Sequence, residues 1–176
     1  MGGAVDVVLL SGTVGAGKTT TAHALSDLLL EGGVRHGVVD LDEIRLLRPP
    51  PEGDRFAHEV ELANLRDLAR NFRAAGASRL VLAGVVEEAA EVARYRDAVA
   101  GQLLLCRLLV GAEAAAVRLR HRHAREPEAR AWHLHRTGEL DAILDGRPFE
   151  DVRVDTTHRT PTEVAGEVAR LAGWTG

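Results

Sequence analysis

Lysine is nearly missing from this chain of 176 residues: of its 22 basic side chains, 21 are arginine and the one lysine is Lys18. Cysteine occurs once, as Cys106, so no disulfide can close within the chain. Its place in the apolar run Leu103 to Val110 reads as a small buried hydrophobe. Aromatic residues make up 3% of the sequence, which leaves Val, Leu and Ala to build the core. Apolar runs stop far short of a bilayer's thickness and no basic leader opens the chain, so a cytoplasmic protein with no membrane partner is expected. Positive charge is not in excess either. A formal net charge of −4 argues against a general nucleic-acid partner, although arginines cluster locally. The remainder is ordinary, 45% apolar, and predicts one domain over residues 1–176 that buries roughly 70% of its unfolded surface.

The one lysine stands in Gly12-Thr13-Val14-Gly15-Ala16-Gly17-Lys18-Thr19, which fits the phosphate-binding pattern G-x-x-x-x-G-K-[ST] at every fixed position. It follows the apolar run Val5 to Leu10 and precedes a helical stretch, the context that pattern requires. A loop wrapped around a triphosphate admits a slim ammonium where a planar guanidinium fork does not fit, which accounts for lysine surviving here alone. Main-chain amides from Gly15 to Thr19 should cradle a β-phosphate at a helix N-terminus, with Thr20 alongside. Lys18 would bridge the β- and γ-phosphates and the Thr19 hydroxyl would ligate Mg²⁺. ATP and magnesium are the implied cofactors; the bland alternative is a glycine-rich strand–helix turn with no ligand.

Valine- and leucine-rich runs alternate with helical segments, the pattern of a parallel sheet covered on both faces. Strands are predicted at 5–10, 36–41, 79–86, 102–110 and 152–155, and helices at 18–31, 56–75, 88–100, 112–124, about 127–136, and 161–172. Gly32-Gly33, Gly76 and Gly101 are placed to end helices, and Thr160-Pro161-Thr162-Glu163 to open the last one. Arg48-Pro49-Pro50-Pro51 predicts an exposed loop at the strand ends.

Asp40-Leu41-Asp42 follows the second strand, where a parallel sheet borders its ligand crevice. Strand alternation would send both carboxylates to one side. Asp42 is then the candidate to orient or deprotonate an acceptor hydroxyl. Asp40 is the candidate to hold a metal-bound water or touch the substrate. Helix capping by an aspartate before Glu43-Ile44-Arg45 is the competing role. Glu87, after the third strand, is the nearest carboxylate to the Mg²⁺ shell or the acceptor; equally it suits an acidic first helical turn. Arg118, Arg122 and Arg125 share a helix face, where guanidinium groups would stabilise a transferring phosphoryl group or stack on adenine. A solvated basic face is the alternative. His121-x-His123 and His133-x-His135 do not suit zinc, since two-residue spacing points helical side chains apart. Thr156 and Thr157 close the fifth strand, where a nucleotide kinase of this shape sets its adenine.

Taken together, Gly12 to Thr19, Asp40-x-Asp42-x-x-Arg45, Asn64-Leu65-Arg66, Arg136-Thr137-Gly138-Glu139-Leu140 and Asp155-Thr156-Thr157 resemble the adenylyl-sulfate kinase family in order and rough spacing. More broadly the chain is similar to small P-loop kinases such as gluconate kinase, shikimate kinase and chloramphenicol phosphotransferase. The resemblance covers nearly the full length, and the phosphate loop is its specific part. It implies an α/β P-loop NTPase sandwich of three layers, a five-stranded parallel sheet in order 2-3-1-4-5, and a lid over about 118–136. It also implies Mg-ATP as donor and a small-molecule hydroxyl as acceptor. Matched residue by residue, Asp42, Arg45, Phe56 and Asn64 fall on substrate-contact positions. Two departures stand out. The family's Phe-Ile-Ser-Pro turn is Gly84-Val85-Val86-Glu87 here, and an arginine that contacts its anionic substrate is Glu61. With Glu59, Glu61 and Glu87 placed near the acceptor, a neutral or amino-bearing acceptor is expected.

A guanine-reading Asn-Lys-x-Asp motif would need a second lysine, so a GTPase is excluded; a transporter ATPase would need a longer chain. An adenylyl-sulfate kinase, a nucleoside or nucleotide kinase and a non-catalytic nucleotide-sensing adaptor stay as rivals, in a monomer or homodimer.

Overall fold

Five short apolar segments form one parallel sheet in the order β2-β3-β1-β4-β5. The structure, a computed structural model, describes residues 4–122 and 149–175. β1 (Val7–Ser11) lies at the centre, flanked by β3 (Arg79–Ala83) and β4 (Leu103–Leu109), with β2 (His36–Asp40) and β5 (Val152–Asp155) outermost. All five residues of β1 are buried, as a strand covered on both faces must be. Its alternation divides the core in two. Val7 and Leu9 pack with Leu62, Leu65, Leu82, Tyr95 and Leu105 on one face. Val8 and Leu10 pack with Leu25, Leu29, Val81, Cys106 and Val168 on the other.

The first face is covered by α3 (His58–Ala74) and α4 (Ala89–Val99), the second by α1 (Lys18–Glu31) and α6 (Pro161–Leu171). α5 (Ala112–Arg122) follows β4; the last residues of the helix expected over 112–124, the helix expected near 127–136 and most of the expected lid lie outside the described residues. Thr160 opens α6 as foreseen, its hydroxyl accepting from the Glu163 amide while Glu163 accepts from the Thr160 amide. Cys106 is fully buried, which pushes its thiol up to about 12. No helix among the described residues is long and apolar enough to cross a membrane.

Three local expectations fail for identifiable reasons. β2 stops at Asp40 because a four-residue helix, α2 (Leu41–Ile44), begins there. Strand alternation therefore does not relate Asp40 to Asp42. β3 ends at Ala83, since a Cβ on Gly84 would lie 2.6 Å from Leu41 Cδ1 and the backbone passes tightly beneath α2. At the end of α4 the left-handed residue is Ala100, with φ of 49°, and not Gly101. Gly101 is small for another reason: a Cβ there would meet Arg73 Nη2 at 2.5 Å and Asp6 Oδ1 at 2.7 Å.

Candidate functional site

The turn from β1 into α1 is a ring of main chain that only glycine can close. Gly12, Gly15 and Gly17 have φ of 144°, 87° and 89°, and a Cβ on Gly12 would sit 2.5 Å from the Leu108 carbonyl oxygen. α1 begins on Gly17, which has no side chain with which to cap it, so the helix presents its positive end to the loop. Lys18 folds back over this ring, its Nζ donating to the carbonyl oxygens of Gly12 at 3.0 Å and Thr13 at 3.1 Å. The Thr19 hydroxyl donates to Asp40 Oδ2 at 2.8 Å. A hydroxyl beside a carboxylate is a hard-oxygen pair of the kind magnesium takes together with phosphate oxygens and water. The residues present fit both groups.

Asp40 has a second task. Its Oδ1 accepts from the Asp42 amide at 3.0 Å, so Asp40, not Asp42, caps α2. That leaves the Asp42 carboxylate to Arg45, whose Nη2 donates to Asp42 Oδ1. Arg45 Nη1 reaches Glu61 Oε2 at 3.3 Å, and Arg45 Cζ lies 5.9 Å from the centre of the Phe56 ring. Glu61 itself is 0% exposed. It accepts from the Tyr95 hydroxyl and lies 3.8 Å from His58 Nδ1. Burial holds the Glu61 carboxyl above its ordinary range and pushes the Tyr95 hydroxyl up as well.

Lys18, Thr19, Asp40, Asp42, Arg45 and Phe56 share one cleft of about 680 Å³ with Glu87, and most of the loop lines it as well. His58, Glu88, Glu91 and Arg118 line it too. Arg118 is tightly anchored. Its Nη1 donates to Gly15 O at 3.2 Å and Thr156 Oγ1 at 3.0 Å, and its Nη2 to Thr156 O at 2.6 Å. Behind it a second hollow of about 320 Å³ is lined by Gly17, Thr20, Arg118, Thr156, Arg159 and Val164, on the side where the adenine was expected. Of the two threonines, Thr156 lines that hollow and Thr157 does not. Thr157 instead ties strand ends together, donating to Asp155 Oδ1 at 2.6 Å and accepting from the Gly111 amide at 2.9 Å. The side chain of Arg122, together with Arg125 and the Arg136 to Leu140 segment, lies outside the described residues.

Three expected residues stand apart from the cleft. The Asn64 amide donates to Ile44 O at 2.7 Å, pinning α2 to α3. Glu59 is exposed on α3, where Arg94 Nη2 meets its Oε1 at 2.7 Å. Glu61 lies beneath the cleft wall and does not face an acceptor. The expectation that all three acids crowd the acceptor is thus corrected; of them only Glu87 lines the cleft. Sequence reasoning also missed Asp54, His58 and Tyr95. Asp54 accepts from the His58 and Glu59 amides at 2.9 and 3.0 Å, which holds its carboxyl below the usual carboxylate range. One signal was available: Glu61 interrupts the apolar stripe Leu62, Leu65 and Ala69 of α3, and an acid on a core face requires partners.

Residues 8–142 match the AAA domain family. A search of curated proteins finds no match. Among solved structures, the tunicamycin resistance protein of Deinococcus radiodurans is similar at 22% identity and TM-score 0.65, covering 97% of each chain. Shikimate kinase of Acinetobacter baumannii, solved with shikimate, aligns at 20% identity and TM-score 0.64 over 95% of this chain and 92% of that one. APS kinase of Mycobacterium tuberculosis, solved with AMPPNP and APS, aligns at 23% identity and TM-score 0.61 over 97% and 98%. The fold is that of the P-loop kinases, in the expected strand order.

Proposed function

Because the chain belongs to the AAA domain family, we propose that it is an ATP-dependent phosphotransferase that moves the γ-phosphoryl group to a hydroxyl of a small molecule. One observation carries the reading. A single cleft is lined both by the phosphate loop, with Lys18 and Thr19, and by Asp42. A donor and an acceptor can meet there.

Each side chain then has a task that follows from its place. The loop amides and the N-terminus of α1 would bind the β-phosphate. Lys18 would exchange its two carbonyl partners for phosphate oxygens, and Thr19 and Asp40 would hold magnesium directly and through water. The metal would supply neutralisation of charge on those oxygens. Asp42 would orient the acceptor hydroxyl and take its proton, while Arg45 keeps the carboxylate aimed. Arg118, braced by Thr156, would place positive charge beside the transferring group. Little covalent chemistry falls to the protein, so positioning and electrostatics dominate.

The test follows ADP release from Mg-ATP across sugars, nucleosides, sulfate nucleotides and aminoglycosides, with Lys18→Ala as the paired variant. Acceptor-dependent ADP release that vanishes in Lys18→Ala, with an unchanged melting curve, is expected. Full activity in that variant would refute the assignment. ATP consumption with no phosphorylated small product would favour a nucleotide-sensing adaptor.

A further inference from the structure

The cleft presents an arginine to its acceptor side, and an arginine there ordinarily recruits a phosphate, sulfate or carboxylate. Arg45 is not available for that work. Its two terminal nitrogens meet two carboxylates, Asp42 on the cleft side and Glu61 beneath, and the Phe56 ring lies 5.9 Å from its Cζ. Its side chain is 26% exposed, and both of its terminal nitrogens are already engaged. Glu61 cannot be displaced cheaply. It is fully buried, shares the Tyr95 hydroxyl and lies near His58, and removing a partner from a buried charge leaves the survivor uncompensated. The rest of the cleft is predominantly acidic, with Glu43, Asp54, Glu87, Glu88 and Glu91 against His58 and Arg118.

We propose that Glu61 is a specificity-determining residue: by holding Arg45 from below it withdraws that cation from the acceptor pocket, so the pocket takes neutral or ammonium-bearing hydroxyl compounds and rejects anionic ones. This deepens the phosphotransferase reading and rests on it. An anionic acceptor would have to break the Arg45–Glu61 or Arg45–Asp42 pair, and the second would also release the group that aims its hydroxyl. An ammonium group meets neither obstacle.

The experiment uses the full chain saturated with magnesium and AMPPNP, so that the γ-phosphate position is filled, and titrates it with sodium sulfate at constant ionic strength in a calorimeter. Heat on adding AMPPNP tests the parent reading by itself; without it that reading fails and this proposal falls with it. With it, the wild-type complex should give no sulfate heat up to the highest concentration reached, while Glu61→Gln, which keeps the side chain's volume and an oxygen for Tyr95, should bind sulfate with a Kd at least about tenfold below that concentration. Equal sulfate affinity in the two complexes would overturn the proposal. Should Glu61→Gln not fold, Arg45→Gln replaces it: the proposal requires wild type and Arg45→Gln to ignore sulfate alike. Sulfate binding that Arg45→Gln abolishes would show Arg45 open to anions and overturn it.

Discussion

Thr156→Val replaces a hydroxyl by a methyl of nearly the same volume at a residue that is 3% exposed, so it isolates one polar junction. The Thr156 hydroxyl lies 3.1 Å from Ala16 O and 3.0 Å from Leu109 O, and has one proton to give to either. It accepts from Arg118 Nη1 at 3.0 Å. It thus joins the end of β4, the phosphate loop and α5 at a single oxygen. Valine would remove one neutral hydrogen bond and one of the three anchors of Arg118. The guanidinium would keep Gly15 O and Thr156 O, so the loss should be about 1–2 kcal/mol and not the full worth of a buried charge pair. For a chain of this size that lowers the melting temperature by roughly 2–8 °C. The functional effect is separable. An Arg118 held by two anchors in place of three braces the Gly15 carbonyl less firmly, and Mg-ATP affinity should fall roughly three- to tenfold. Thr156→Ser, which keeps the oxygen and gives up a methyl group, should lose stability but hold nucleotide affinity near wild type. Calorimetric melts and Mg-ATP titrations of the three proteins decide it. If valine binds Mg-ATP as tightly as wild type, or only serine weakens binding, the hydroxyl is not what matters, and the bracing argument is wrong.

Other outcomes follow from the same geometry. Asp42→Asn should reduce kcat at least about a hundredfold while Mg-ATP still binds, because Asp40 and not Asp42 caps α2; a variant that merely melts earlier with kcat intact would return Asp42 to a structural role. Gly12→Ala would drive a Cβ to 2.5 Å from the Leu108 carbonyl at a φ of 144°, so both stability and nucleotide affinity should drop. Wild-type affinity in that variant would mean the ring can open without consequence. Asp54 is held below its ordinary pKa by two amides at the start of α3. Its contribution is therefore present above about pH 4 and lost as pH falls through its lower native value. Melting curves of wild type should fall more steeply below about pH 4 than those of Asp54→Asn, and parallel curves from pH 6 to 3 would count against the cap. Glu61 has the opposite sign, raised by burial, so its contribution shrinks as pH rises from its ordinary value through its native one.

What the chain's order of residues determined unaided was whatever depends on short-range chemistry. The phosphate loop was legible because three glycines, a lysine and a threonine at fixed spacing solve one local problem of backbone and charge. The sheet was legible because alternating runs of Val and Leu can be buried in few ways. Helices α1 and α6 were placed within a residue, since their ends are set by Gly17, Gly32, Thr160 and Pro161. Helix α2 escaped because four residues have no periodicity, and with it went the relation between Asp40 and Asp42. The acceptor side was decided by tertiary structure alone. Glu61 and Tyr95 are 34 positions apart and Arg45 and Glu61 are 16 apart. No local pattern says that these side chains meet. An acid read along the chain is a charge facing a ligand; buried against Arg45, the same acid governs a neighbour's charge instead.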